Sequence, residues 1–319
     1  NTFILNMFRE LWVDKYKPQN LNEITGNVEI IERLKIISKS RNLPNMIFSG
    51  MSGTGKTSSA ICLVKEIYGN NNYIKRVIEL NASDDLRKID VVRDRIDNFV
   101  KKKCGEKVVI FDEADSMTNQ VQHTLRSIMD SYNKTTRFIL ICNSLSNIIE
   151  SILSRCMIVK FSKLKNDEIR TRLKVIIQKE KIVYTEEGID AICLCSRGDM
   201  RNVLNNMQAV KIGIGDITEE NVYKIIDIPH PRIIKQLLEL CLKKDISNAL
   251  DLLCNIYTCG YTPIDIIETI FQICSNTDLI PESKNIMYIK KISNTHIRIA
   301  EGLCTLNQLT GIIAELCDI

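Results

Sequence analysis

Residues 46 to 57 read Met-Ile-Phe-Ser-Gly-Met-Ser-Gly-Thr-Gly-Lys-Thr, and this stretch decides the fold. Gly50, Gly55, Lys56 and Thr57 fill the fixed positions of G-x-x-x-x-G-K-[ST], the phosphate-cradling loop. The flanks agree with it. Residues 46–48 are an apolar run that can end a buried strand, and TSSAICLVKEIYG behind the loop reads as a helix. A strand, a glycine-rich turn and a helix N-terminus aim backbone N–H groups and a positive dipole end at phosphate. The cradle then runs through Gly50, Ser52, Gly53, Thr54, Gly55 and Ser58, with Lys56 reaching the β- and γ-phosphates and the Thr57 hydroxyl placed on Mg²⁺. A glycine turn that merely joins a strand to a helix has no need of all four fixed residues. The chain is expected to bind a nucleoside triphosphate.

The second chemical signal is KVVIFDEAD, residues 107–115, an apolar strand that ends in acids. Asp112 at the strand's end is suited to hold Mg²⁺ through water, and Glu113 to polarise the attacking water. Phosphoryl transfer needs little beyond such positioning and charge stabilisation, so hydrolysis is expected and not binding alone. A helix N-terminal charge pair is the plainer alternative for two adjacent carboxylates. The base reads as adenine: NKTT at 133–136 lacks the acid of an N-K-x-D guanine reader. Asn143 follows the strand RFILIC and is placed to orient water or the γ-phosphate; Arg155 and Arg201 are, by residue type alone, ordinary surface arginines.

At 319 residues the chain exceeds one ordinary domain. Hydrophobic content of 45% with 26% charged residues is a globular composition, and 6% aromatics leave the cores to Ile, Leu and Val. The net charge of +4 permits a polyanionic partner without arguing for one. No apolar run is long enough to span a bilayer, so no membrane partner is expected. The 12 cysteines lie scattered through apolar segments with no C-x-x-C pair, which reads as buried thiols in a reducing compartment.

Short apolar runs at 46–48, 77–80, 108–111, 138–142 and 157–160 alternate with helical patterns at 91–103 and 121–132, predicting a parallel α/β sheet. Beyond Phe161 the strand signals fade into short amphipathic helices, and IPHP at 228–231 marks a second break. Four strongly periodic helical segments follow, one of them opened by Thr262 as N-cap and Pro263 as first helical residue.

Taken together, LWVDKYKP, GMSGTGKT, ELNASDD, FDEADSM, CN, SRC and GDMRN stand in the order and spacing of the replication factor C boxes. The chain resembles the small subunits of that clamp loader over essentially its whole length. Its tail, from IPHPRIIKQLLELCL through GYTPIDIIETIFQIC to NTHIRIAEG, is similar to the branch numbered two in vertebrates and four in yeast. The resemblance implies an AAA+ nucleotide-binding α/β domain over 1–161, a small helical lid over 162–228 and an all-α collar over 229–319. It implies ATP and Mg²⁺ as ligands, a hetero-pentameric ring with other replication factor C subunits, and a nuclear location. It also implies the sliding clamp (proliferating cell nuclear antigen) and primer–template DNA as partners.

Residue by residue, the resemblance implies that Val13, Tyr16, Ile24 and Gly26 line the adenine site and that Asn81 restrains Glu113 until DNA arrives. Asn143 becomes the sensor after the fourth strand, Arg201 the lid arginine on the γ-phosphate, and Arg155 the arginine that reaches the neighbouring subunit's ATP. Ile89, Arg93 and Arg126 become the residues that track one DNA backbone, and Phe99 a docking point for the clamp, with burial in the core as its alternative. The chain departs from the family pattern at Met51-Ser52 in place of Pro-Pro and at Lys17 in place of arginine. DDLRKIDVVR is one residue longer than the usual segment, and Leu125-Arg126-Ser127 carries one positive charge fewer. Two other readings stand beside this one: a different AAA+ motor, and a nucleotide-binding scaffold subunit without turnover.

Overall fold

The computed structural model describes residues 10–82, 96, 98–100, 105–226, 228–276 and 280–319. Five parallel strands form one sheet in the order β2-β3-β4-β1-β5. They are β1 Met46–Ser49, β2 Val77–Asn81, β3 Lys107–Asp112, β4 Thr136–Cys142 and β5 Met157–Lys160, each where the apolar runs predict a strand. Near-continuous apolar strands are what a sheet covered on both faces requires. Along β4 the period of two sends Phe138, Leu140 and Cys142 to one face, with Ile47, Val109 and Phe111. Ile139 and Ile141 go to the other, with Met46, Phe48, Val108 and Ile110.

The helices of this region are α1 Trp12–Lys15, α2 Val28–Ser40, α3 Lys56–Tyr68, α4 Asn70–Arg76, α5 Asn119–Ser131 and α6 Glu150–Leu153. Helix α3 buries Ala60, Leu63, Val64 and Ile67 in the second cluster, and α5 buries Val121, Leu125, Ile128 and Met129 in the first. Thr118 caps α5 by accepting the Val121 N–H. Phe99 belongs to the first cluster and is 7% exposed, so the core alternative holds and Phe99 offers the clamp no surface. Ile89 and Arg93 lie outside the described residues.

Past β5 come α7 Asn166–Glu180, α8 Glu186–Ser196 and α9 Met200–Gly213, packed in sequence against one another. Their buried stripes have helical spacing, Ile169, Leu173, Ile176 and Ile177 on α7 being one. The only strand-like feature described here is one parallel bridge between Tyr184 and Ile217.

The chain divides into two compact units between Thr218 and Glu219. The second holds α10 Glu219–Ile225, α11 Pro231–Leu242, α12 Ile246–Thr258, α13 Pro263–Asn276, α14 Glu282–Ala300 and α15 Leu306–Asp318. One apolar core joins α11 to α15, from Ile234, Leu237 and Leu238 through Ile266, Ile270 and Tyr288 to Ile312 and Leu316. Helix α13 starts at Pro263, and Thr262 Oγ1 accepts the Asp265 N–H at 3.3 Å, as the sequence predicts. Helix α14 is a finding beyond the predicted segments. Its buried residues Tyr288, Ile292, Thr295 and Ile299 keep helical spacing, but exposed Ile286, Met287 and Ile297 spread apolar residues around the helix and blur the stripe.

Candidate nucleotide-binding site

In a parallel sheet all carboxyl ends fall on one edge, and ligands sit in the crevice beyond them. The strand order then lays out the site. The phosphate loop follows β1, Asn143 follows β4 beside it, and Asp112 closes β3 on β4's other side. Asn81, the last residue of β2, is the register partner of Asp112, which sets it beside the acidic pair.

Lys56 opens α3, and Gly55 before it takes φ 92°, turning the chain from loop into helix. The Lys56 side chain is buried. Its ammonium donates to the carbonyl oxygens of Gly50 and Met51, both at 2.7 Å, and to Asn143 Oδ1 at 3.1 Å. Burial pushes the Lys56 pKa down, and the Asp112 carboxylate pulls against that shift. Thr57 Oγ1 donates to Asp112 Oδ2 at 2.9 Å, while Asp112 Oδ1 accepts the Glu113 N–H at 3.0 Å. Glu113 sits in the left-handed region at φ 54°, so the chain bends sharply where the strand ends. Asp115 Oδ2 accepts the Asn143 N–H at 3.1 Å, which fixes the loop after β4 to the acidic segment.

These groups line a cavity of about 410 Å³, within the range of small-molecule sites. Val13, Tyr16, Ile24, Ser52, Gly53, Thr54, Gly55, Lys56, Thr57, Ser58, Asp112, Glu113, Asn143 and Arg201 all contribute to its wall. Gly50, Gly26, Asn81 and Arg155 are not in it. Gly50 acts through its carbonyl on Lys56. Gly26 is a close approach: a Cβ there would stand 2.4 Å from Leu164 Cδ2 and 2.8 Å from Glu168 Oε2.

Arg172 also lines the cavity, and it belongs to a set of side chains that sequence reasoning missed. Its Nη2 donates to the Tyr16 carbonyl at 3.2 Å. The Tyr16 hydroxyl and Lys15 Nζ both donate to Glu180. Burial works against the Glu180 charge, but those two donors outweigh it and hold its carboxyl below the usual range. Gln208 Oε1 accepts the Trp12 N–H at 3.0 Å and its Nε2 donates to the Glu10 carbonyl at 3.2 Å. Gln208 thus satisfies the N-terminal segment's backbone much as a neighbouring strand would. The signal in the sequence is a glutamine at helical spacing from Leu204 and directly after Met207, on the apolar face of α9. Asp199 caps α9 through the Arg201 and Asn202 N–H groups, and the Met200 N–H donates to the Gly53 carbonyl at 3.1 Å. The N-terminal segment with Tyr16 and the cavity residue Arg201 therefore share one support, the pair α7 and α9.

Arg155 lies outside the cavity, between α6 and β5, the edge strand. It is bound to Asp130 on α5, and Arg126 approaches the same carboxylate at 3.8 Å.

Residues 46–164, the span from β1 to just before α7, match the family model of the ATPase family associated with various cellular activities. The parallel sheet, its loop and its acidic pair are those of an AAA+ ATPase. Residues 229–315 match the replication factor C C-terminal domain. Among curated proteins, a probable replication factor C subunit 2 of Dictyostelium discoideum is 47% identical over 96% of this chain and 91% of its own length. Replication factor C subunit 4 of Saccharomyces cerevisiae is 44% identical, over 96% and 95%. An archaeal replication factor C small subunit, from Staphylothermus marinus, is 39% identical over 96% and 94%. The chain belongs to the replication factor C small subunits, and it is an ATP-hydrolysing subunit of a multi-subunit clamp loader. A solved structure of Thermotoga maritima RuvB, described as the Holliday junction branch migration motor, covers 70% of this chain and 78% of its own with a TM-score of 0.56. At 17% identity that likeness is one of fold.

Proposed function

We propose that the cavity binds ATP with Mg²⁺ and that the chain spends this ATP in loading a sliding clamp onto primer–template DNA within the nucleus. The observation that carries the reading is the convergence of Lys56 with Asn143 and of Thr57 with Asp112 at one end of one cavity. The Thr57 hydroxyl and the Asp112 carboxylate are adjacent hard oxygen donors and fit Mg²⁺. Bound there, the ion would offset charge building on the phosphate oxygens. Lys56 exchanges its loop carbonyls for phosphate oxygens, Glu113 polarises the attacking water, Asn143 orients it, and Arg201 adds a positive charge from the lid. Val13, Tyr16, Ile24 and Gly26 shape the adenine end, and Asn81 restrains Glu113. Arg155 stabilises the γ-phosphate held by the neighbouring subunit of a hetero-pentameric ring.

Residues 162–228 act as the lid and 229–319 as the collar that joins subunits. Ile89, Arg93 and Arg126 follow one DNA strand through its phosphates, so binding is salt-sensitive and indifferent to sequence. The test is the steady-state ATPase of the reconstituted complex, alone and with clamp and primer–template DNA. Clamp and DNA together should raise turnover several-fold, with the DNA effect fading steeply as salt increases. Turnover unaffected by either partner would overturn the reading.

A further inference from the structure

The Arg155 guanidinium is held in a specific manner. Its Nε–H donates to Asp130 Oδ1 at 2.8 Å and an Nη2–H to Asp130 Oδ2 at 3.3 Å, a side-on bidentate pair. An Nη1–H donates to the Ser151 carbonyl at 2.8 Å. Guanidinium carries five N–H donors in a fixed plane. Three are used in this way, and the remaining two sit one on each Nη nitrogen. Nη1 and Nη2 together form the fork that can take two oxygens of a single phosphate, and each keeps one N–H outside these bonds.

Asp130 is well placed to hold it. It lies in the last turn of α5, whose Val121, Leu125, Ile128 and Met129 are anchored in the apolar core. Arg155 lies in the short link between α6 and β5. The carboxylate therefore rides on a rigid element and the long flexible side chain is fixed to it. Arg126, one turn earlier on α5, approaches Asp130 Oδ2 at 3.8 Å and favours its ionised form. The hydrogen bond from Arg155 keeps the Asp130 carboxyl below the usual carboxylate range. An exposed ion pair adds little to stability, so the effect of this one is on orientation. Asp130 takes the Nε/Nη2 edge, which adjoins the Nη1/Nη2 fork and leaves one N–H on the shared Nη2 for a phosphate oxygen.

We propose that Asp130 is a positioning residue for Arg155, turning its Nη1/Nη2 edge toward the γ-phosphate of the adjacent subunit. The proposal rests on the reading of Arg155 as acting in trans. It is tested in the complete ring with hydrolysis confined to the adjacent site, carrying wild-type chain, D130A, D130N, D130E, R155A or D130A/R155A. D130A should lower kcat at that site by roughly 10- to 100-fold, the scale of loss for a misplaced catalytic group, with KM for ATP within about 3-fold of wild type. D130E should recover part of the rate. The double variant should turn over like R155A alone, because Asp130 acts only through the arginine. D130N keeps the side-chain shape and removes the charge, so a loss in D130N with normal ring assembly separates positioning from misfolding.

Wild-type rates in both D130A and D130N would overturn the proposal, as would faster rates, which would mark Asp130 as a restraint. A further loss on adding D130A to R155A would overturn it too. A wild-type rate in R155A would bring down the trans reading and this proposal together. A slow R155A ring beside wild-type Asp130 variants would bring down this proposal alone.

Discussion

Lys56 and Glu113 line one cavity but differ in what their loss should do. The Lys56 ammonium is buried at the mouth of the loop with three oxygen acceptors, places that phosphate oxygens can take over. Replacing it with alanine removes the point charge on the β- and γ-phosphates. Lys56→Ala should weaken ATP binding by roughly 10²-fold, the value of a lost charge-assisted bond in a buried site, measured by fluorescent-nucleotide titration. Glu113 lines the same cavity from the end of β3 and not from the loop after β1. Glu113→Gln should leave ATP affinity within about 3-fold and cut turnover by roughly 10²–10⁴, since an amide cannot take a proton. Unchanged hydrolysis in the complete ring would remove Glu113 from the catalytic role. The Met51-Ser52 departure sits on the loop's exposed side: Met51 is 58% exposed and contributes its carbonyl to Lys56, a contact that any residue can supply.

At the scale of elements, the loop and α9 meet at one point. Gly53 has φ +67°, and a Cβ placed on it would lie 1.7 Å from Asp199 Oδ1. Asp199 is the cap of α9, the helix that carries Arg201, and its position depends on Gly53 having no side chain. Gly53→Ala forces a left-handed alanine, costing about 1–2 kcal/mol. It also pushes aside a capping carboxylate worth about 1 kcal/mol. The variant should unfold at lower urea, by about 2 kcal/mol in the first unit, and bind ATP more weakly because Arg201 is displaced with its helix. Equal midpoints and equal nucleotide affinity would show that Asp199 simply turns away. Gln122 shows the same economy on α5: buried, it donates to the Met117 and Asn147 carbonyls and accepts the Ile149 N–H, tying α5 to the link that leads to Arg155.

For the whole molecule, the decisive fact is that Arg155 is outside the chain's own cavity, on the edge-strand side of the sheet. Charge on a γ-phosphate is commonly stabilised by an arginine supplied in trans, an effect of about 10³–10⁵ in rate for GTPases. The isolated chain should therefore bind ATP but turn it over far more slowly than the assembled ring, by comparison of single-turnover rates. In the ring, Arg155→Ala should leave this chain's own ATP affinity within about 2-fold and depress the adjacent site by roughly 10³-fold. Full-rate hydrolysis by the isolated chain would show that each pocket is complete by itself.

The amino-acid sequence determined the phosphate loop, the acids that end β3, the asparagine after β4 and the five strands. These features are local: a loop's donors, a strand's apolar run and the residue that closes it are contiguous in the chain, so their chemistry is written in order. The tertiary structure decided the rest. Trp12 and Gln208 are 196 residues apart, and nothing near either predicts that one would satisfy the other's backbone. Phe99 carries the same apolar side chain whether it faces a partner or a core, and only tertiary packing, which places it in the cluster with Leu125 and Phe138, buries it. Helix α14 kept a helical stripe that exposed isoleucines hid, since periodicity reports apolar positions and not which of them find a neighbour. Nothing in the sequence pairs Arg155 with Asp130, 25 residues away; the fold brings them to 2.8 Å, because α5 and the link before β5 end side by side.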